Sequence, residues 1–460
     1  TLNLSAGGDL DPNKTVVRAR VIDLGSGDSW QAKLPQWQRL EDRSGFMVRG
    51  TLPIQRCAGG LCAVVLRVRP EPQGATLIIA QPRQIAKQER GQVAEANPGP
   101  IGDPPTGRPD IVLITLDAAR AKHFSSYGYD RATTPNIDRL AEESLVFTNA
   151  YSLVPYTIDS VPTMITGRSF LDLDTIRSGR VLPPESVTLA EQLRDAGYRT
   201  VCLSTNPANS QGRGTDQGYD EFIELWSEVE GRASADPQLI TERALDLISQ
   251  PDDSMPLHLQ LHYMPPHAPY DPKPEFDIFS DPDYEGPCDG QHKTIRALDA
   301  GRRAPGHGCL DQVIAKYDGN LREADHWVGK LLDALRARDR WENTVVLVTA
   351  DHGEASLEHG RMGHNSTVFD EMLHVPFILR LPSNFTGRVF TSDRLVTLED
   401  IVPTLLATAS LEPSTAVTGI DLSHTASEEE TPPRHLIART VGYRPTFALR
   451  TARWKIILPA

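Results

Sequence analysis

Between residues 15 and 84 apolar positions come in short runs that alternate with polar ones. Examples are Thr15-Val-Val-Arg-Ala-Arg-Val-Ile, Gly45-Phe-Met-Val-Arg-Gly-Thr-Leu, Leu61-Cys-Ala-Val-Val-Leu-Arg-Val and Ala75-Thr-Leu-Ile-Ile, each bounded by Gly, Ser, Asp or Pro. A two-residue period between turn formers predicts strands, so residues 1–89 read as a small all-β domain. Residues 90–108 break the pattern with Pro98, Pro100, Pro104 and Pro105 interleaved with Gly99, Gly102 and Gly107. That stretch is too stiff and polar to pack a core and reads as a linker. Beyond it, in residues 109–460, the rhythm changes to strand and helix in turn. Continuous apolar or amphipathic runs at 111–116, 200–204, 257–263 and 344–349 predict buried strands, and 135–144, 188–196, 237–248 and 310–336 predict helices. In the last of these Ala324, Val328, Leu331, Leu332 and Leu335 share one face. Such alternation predicts an α/β sandwich with a mainly parallel sheet, whose ligands collect at the carboxyl ends of the strands.

A length of 460 residues suits two or three domains, and 39% hydrophobic with 23% charged residues is ordinary globular composition, which excludes wholesale disorder. Lys and Arg total 47 against 61 Asp and Glu, a net charge of −14. A chain-wide footprint for polyanions is thereby excluded, and no nucleic-acid partner is expected. No apolar run reaches the roughly 18 residues of a membrane span. The chain starts at Thr1, which is compatible with a leader or anchor removed upstream. Cys57 with Cys62, and Cys288 with Cys309, read as loop staples, while Cys202 in an apolar run reads as a buried free thiol. Two such pairs favour an oxidising compartment, hence a periplasmic or secreted protein or the soluble part of an anchored one.

Asp117 and the pair Asp351-His352 each stand just past a predicted buried strand, so a parallel sheet brings them to one edge, where two carboxylates and an imidazole can hold one cation. Thr157 opens a predicted helix, whose positive end suits an anionic group; taken alone, a threonine there is most simply a helix N-cap.

The motifs Arg108-Pro-Asp-Ile-Val-Leu-Ile-Thr-Leu-Asp-Ala-Ala-Arg, Thr134-Pro-Asn-Ile-Asp-Arg-Leu-Ala, Phe147-Thr-Asn-Ala-Tyr, Thr188-Leu-Ala-Glu-Gln-Leu-Arg-Asp-Ala-Gly-Tyr, Pro266-His-Ala-Pro-Tyr, Asp351-His-Gly-Glu and Asp400-Ile-Val-Pro-Thr-Leu-Leu follow one another in order. Together they resemble the sulfatase-like branch of the alkaline phosphatase superfamily, from about Arg108 to the end. The resemblance implies an alkaline-phosphatase-like αβα sandwich, with the all-β domain added in front. It also implies departures. Sulfatases carry Cys or Ser, oxidised to formylglycine, at the position of Thr157, followed by Pro-Ser-Arg where Asp159, Ser160 and Val161 stand here. Threonine cannot make that aldehyde. The usual second acid after Asp117 is Ala118, so the oxygen cage for calcium is incomplete.

The set Asp117, Thr157, Asp351 and His352 resembles instead the single-metal site of phosphoethanolamine transferases and lipoteichoic acid synthases, which use threonine as nucleophile. One divalent ion is expected, zinc or manganese before calcium given the mixed oxygen and nitrogen donors. Bound to it, Thr157 would attack phosphorus and form a phospho-threonine that water or another alcohol resolves. His267 and His364 fall in segments that face substrate in the family and are expected as catalytic proton donors. A second metal is not expected, since the Pro266-His-Ala-Pro-Tyr segment lacks the aspartate that phosphodiesterase relatives carry. His262 reads as a satisfied sheet-edge histidine, His359 as structural, and Arg120, Lys122 and His123 as solvated. The expected function is thus hydrolysis or transfer of a phosphate ester on a small molecule, lipid or glycan, with association with the cell envelope left open. The alternatives are a sulfatase lacking formylglycine, and a catalytically silent relative that binds glycans or envelope polymers.

Overall fold

The computed structural model describes residues 2–7, 16–23, 29–33, 38–39, 45–50, 62–69, 76–79, 107–173, 180–228, 236–249, 255–302, 304, 306–383, 385, 390–423, 434–440, 446–452 and 454–458. It divides into two units, Thr1–Gly99 and Pro100–Pro459. In the first, the described strands are β1 (Leu2–Gly7), β2 (Val16–Asp23), β3 (Ser29–Lys33), β4 (Gln38–Arg39), β5 (Gly45–Gly50), β6 (Cys62–Arg69) and β7 (Thr76–Ile79). They pair antiparallel in the orders β4-β5-β1-β7 and β3-β2-β6. Cys57, and with it the expected Cys57–Cys62 staple, lies outside the described residues.

The second unit opens with β8 (Asp110–Leu116), α1 (Pro135–Ala141), β9 (Leu145–Tyr151), α2 (Thr157–Thr166), α3 (Leu189–Asp195), β10 (Arg199–Ser204) and β11 (Glu221–Glu224). It continues through α4 (Leu225–Glu228), α5 (Pro237–Ser249), β12 (Leu257–Tyr263), α6 (His292–Asp299), α7 (Cys309–Arg336), β13 (Thr344–Thr349), β14 (Ala355–Ser356) and β15 (Met362–Gly363). The last elements are α8 (Asp370–Leu373), β16 (Phe377–Arg380), β17 (Phe390–Thr397), α9 (Ile401–Thr408), β18 (Leu436–Arg439), β19 (Phe447–Arg450) and β20 (Lys455–Leu458). The strands 111–116, 200–204, 257–263 and 344–349 expected from apolar runs, and the four expected helices, all form within a residue or a few of their expected ends.

Eight strands make one mixed sheet in the order β11-β10-β12-β8-β13-β16-β9-β17. The run from β11 to β13 is parallel throughout, β16 is antiparallel to both its neighbours, and β17 is parallel to β9. Every residue of β8, β12 and β13 is buried, so both faces of the sheet are covered, which is why these strands read as apolar without alternation. Helices α1 and α5 pack on α7, and α2 packs with α3 and α9.

Local chemistry fixes the helix ends. Thr188 and Glu191 form a reciprocal capping box at α3, and Asp325 accepts the N–H groups of Asn136 and Ile137 at the start of α1. Gly167 closes α2 at φ 65° with Val402 Cβ only 2.8 Å from where a side chain would begin, so no larger residue fits that turn. The expected Cys288–Cys309 disulfide is present, and Cys202 is free and buried.

Candidate active site

The carboxyl ends of four neighbouring parallel strands, β10, β12, β8 and β13, converge on one spot, as the rule for open α/β sheets requires. They deliver Asn206, His262, Asp117 and the pair Asp351 and His352. Asp117 leaves β8 with its N–H on Tyr263 O at 2.9 Å. Ala118 takes the left-handed φ of 59°, which turns its N–H onto Asp351 Oδ1 at 3.2 Å, while its carbonyl accepts the Tyr317 hydroxyl at 2.9 Å. The His352 N–H, at 3.0 Å, donates to the same Asp351 Oδ1.

Those bonds leave Asp117 Oδ1, Asp351 Oδ2 and His262 Nε2 without hydrogen-bond partners although all three side chains are buried. One ligand atom from each of the three lies within 4.8 Å of the others. A buried carboxylate oxygen left without a hydrogen bond is unfavourable unless a cation stands beside it, and two carboxylate oxygens with an imidazole nitrogen form a suitable donor set for a divalent ion. The residues present therefore fit such an ion.

His262 is thus not the satisfied sheet-edge histidine expected from the sequence. Its Nδ1 does meet Asn209 Nδ2 at 3.3 Å, but its Nε2 faces Asp117 Oδ2 at 3.5 Å and Asp351 Oδ2 at 4.0 Å. The signal lay in the strand period: His258, Gln260 and His262 share one face of β12, with His262 at its carboxyl end beside β8.

Thr157 is the first residue of α2, and the N-cap is Tyr156, whose side chain makes no capping bond. The hydroxyl is therefore not used as a cap. It lies 3.3 Å from His352 Nε2, which in turn is 3.6 Å from Asp117 Oδ1 and 3.5 Å from Asp351 Oδ2. Because His352 Nδ1 donates to Gly353 O at 2.9 Å, Nε2 presents a lone pair inward. Ser160, one turn along α2, donates to Asp351 O at 2.5 Å and ties the helix to the turn that carries both ligands.

Asn206 was not singled out by sequence. Its Nδ2 donates to Asp117 Oδ2 and lies 3.5 Å from Thr157 Oγ. Its Oδ1 accepts the Ala208 N–H at 2.6 Å and its own N–H donates to Ser204 Oγ at 3.2 Å, which fixes the amide's orientation. Like Asp117 and Asp351 it stands one or two positions past a strand end, and that offset was the available cue.

The rings of His364 and His267 lie beside the same cluster. The His364 ring is 4.6 Å from that of His352, and His267 is 4.9 Å from His364. His364 Nδ1 donates to Glu354 Oε2 at 3.0 Å. Burial disfavours the charged imidazole, but the Glu354 carboxylate outweighs it and pushes His364 up to about 9. Burial likewise opposes charge on Asp117, yet the neighbouring imidazoles, that of His267 foremost, hold its carboxyl well below the usual range.

Arg120 and His123 are not solvated as expected; both are buried, Arg120 paired with Glu358 at 2.5 Å and His123 with Asp318 at 2.6 Å. Lys122 is exposed. His359 stacks on Phe369 at 3.7 Å and pairs with Glu371 at 2.7 Å.

A hydroxyl at a helix start beside buried carboxylates and imidazoles, at the carboxyl edge of a parallel sheet, is an arrangement that could hold a divalent ion next to an alcohol side chain. The Sulfatase family profile matches residues 109–411, and the chain belongs to that family. Among its relatives are an arylsulfatase of Clostridium perfringens, 26% identical over 70% of this chain and 79% of that protein, and an N-acetylglucosamine-6-O-sulfatase of Bacteroides thetaiotaomicron, 23% identical over 70% and 72%. Solved structures with the same fold include the phosphonate monoester hydrolase of Agrobacterium radiobacter, at TM-score 0.60 and 18% identity over 77% of this chain and 89% of that one. Another is BT4656 in complex with its substrate D-glucosamine-2-N,6-O-disulfate, at 0.63 and 19% over 76% and 88%.

Proposed function

We propose that the chain is a metal-dependent hydrolase of sulfate esters in which Thr157 is the nucleophile. The observation that carries this is the 3.3 Å approach of the Thr157 hydroxyl to His352 beside unpaired carboxylate oxygens; the names of the relatives favour sulfate over other esters. Asp117 and Asp351, with the imidazoles of His262 and His352 and with Thr157, would hold one divalent ion, zinc or manganese before calcium. That ion would lower the pKa of a bound hydroxyl and neutralise charge on ester oxygens. Thr157 Oγ forms a bond to sulfur as the bond from sulfur to the alcohol oxygen breaks. The alcohol departs with a proton, for which His364 and His267 are the donors at hand. Water then attacks the sulfur, Thr157 recovers its hydroxyl, and the sum is one ester and one water giving one alcohol and one hydrogen sulfate. We read residues 1–89 as an accessory all-β domain of a periplasmic or secreted enzyme.

A second reading, hydrolysis or transfer of phosphorus esters, is favoured by Thr157 itself, a direct alcohol nucleophile where formylglycine would otherwise stand. Parallel assays of zinc- and manganese-loaded protein on an aryl sulfate, an aryl phosphodiester and an aryl phosphonate separate the two. Fastest turnover of the sulfate supports the first and of a phosphorus ester the second; turnover of none sinks both.

A further inference from the structure

Helix α6 has the sequence His-Lys-Thr-Ile-Arg-Ala-Leu-Asp, with Thr294, Ile295 and Leu298 buried and His292, Lys293 and Arg296 exposed. Its buried face packs into a cluster with Cys288, Cys309 and Met362, beside the Cys288–Cys309 disulfide. Asp289 accepts from Gln291 N at 3.1 Å and from Thr294 Oγ at 2.7 Å at the helix start. At its end Asp299 accepts from Met362 N at 3.0 Å and pairs with Arg361, so the segment that leads into His364 is bonded to α6. The helix is therefore held firmly against the site rather than draped over it.

This placement extends the imidazole row. From His352 the rings step to His364 at 4.6 Å, to His267 at 4.9 Å and to His292 at 6.5 Å, so the row runs outward from Thr157 to an exposed end. Arg296 lies one turn on from His292 and shares its face. Neither Lys293 nor Arg296 forms an ion pair among the described residues. The neighbouring acids are already engaged: Asp289 and Asp299 as above, and Glu354 with His364. On a chain of net charge −14, an unneutralised cationic edge next to the site attracts anions selectively.

We propose that His292 and Arg296 form an outer anion subsite, so that the preferred substrate is an ester whose alcohol part carries a second negative charge, a carboxylate, sulfate or phosphate. The subsite rests on the hydrolytic reading only for the place of the ester at Thr157. The second anion sits several bonds away from the reacting one and is gripped by a guanidinium and an imidazole N–H, which are charge-assisted donors.

The test uses the full zinc-loaded chain carrying Thr157→Ala. Two probes are titrated calorimetrically: a disaccharide 6-O-sulfate whose second ring carries a carboxylate, and the same compound with a neutral hydroxymethyl group. The charged probe is expected to bind about ten-fold more tightly, and the preference to fall to about one in the added His292→Gln/Arg296→Ala background. Both changed residues are exposed, and an unaltered thermal midpoint checks that the fold persists. A preference unchanged in that background, an equal affinity for the two probes in the parent, or no binding of either overturns the proposal. A charge preference lost with His292 and Arg296, in a protein whose wild type hydrolyses neither probe, upholds the subsite and removes the hydrolytic reading instead.

Discussion

His352 Nε2 stands 3.3 Å from the hydroxyl oxygen of Thr157, and the two are 195 positions apart in the chain. The Gly353 carbonyl holds the imidazole by its other nitrogen, so the lone pair aimed at the threonine is fixed by backbone rather than by a mobile side chain.

Under the proposed mechanism, replacing Thr157 by Ala removes the attacking oxygen without opening a large void. Turnover is expected to fall by about 10³-fold or more, since removing a nucleophile abolishes the covalent route, while Thr157→Ser keeps measurable activity. Intact-mass and peptide mapping after exposure to a slowly resolved ester should find an adduct on the peptide containing Thr157 in wild type only. An Ala variant as active as wild type would remove Thr157 from the mechanism.

The orphaned oxygens of Asp117 and Asp351 predict that stripping divalent ions both inactivates and destabilises the protein. With an ion present at 100 times its dissociation constant the expected stabilisation is about 2.7 kcal/mol, read as a fall in thermal midpoint on chelation that zinc or manganese reverses. His262→Gln should weaken metal binding about 10- to 100-fold. Equal metal content and midpoint in chelated and loaded samples, or full affinity in the His262 variant, would contradict the assignment.

Asn206 offers a finer test. Its amide, locked by Ala208 and Ser204, donates to Asp117 and lies beside the Thr157 oxygen, where an N–H favours the anionic form of that oxygen as its proton leaves on the way to attack. Asn206→Ala should cost about 10²-fold in kcat with little change in KM, the pattern of a lost donor that acts in the transition state. A rise in KM alone would make Asn206 a binding residue instead.

Much of this site was legible because two of its acids stand just past continuous apolar runs, and strands buried on both faces leave no ambiguity about where they end. Asp117, Asp351 and His352 stand out that way, and Thr157, His267 and His364 through the order of motifs around them. His262 was passed over because a strand-end histidine with polar neighbours at two-residue spacing looks like ordinary sheet pairing until the parallel partner is known to be β8. Asn206 carries no charge, and an Asn before Pro reads as a turn residue. Arg120 and His123 were misjudged because their partners, Glu358 and Asp318, lie far along the chain, and pairing at that range is set by topology rather than by local pattern.

Glu399 gives a pH prediction independent of the metal. It is buried between β17 and α9, and its Oε1 lacks a hydrogen-bond partner. Burial, with the adjacent Asp400 charge adding to it, raises its carboxyl to about 7 despite Arg434 at 3.9 Å. The folded state thus holds a proton that the unfolded chain releases near its ordinary pKa of about 4.3. Its contribution to stability is fully present below that value, is lost as pH rises through about 7, and is flat above. Each pKa unit is worth 1.36 kcal/mol, so the total is about 4 kcal/mol at most. Glu399→Gln stays neutral throughout, and its thermal midpoint minus that of wild type should climb as pH rises from 5 to 8. A difference that is constant or falls across that range would show that Glu399 is already ionised in the folded protein.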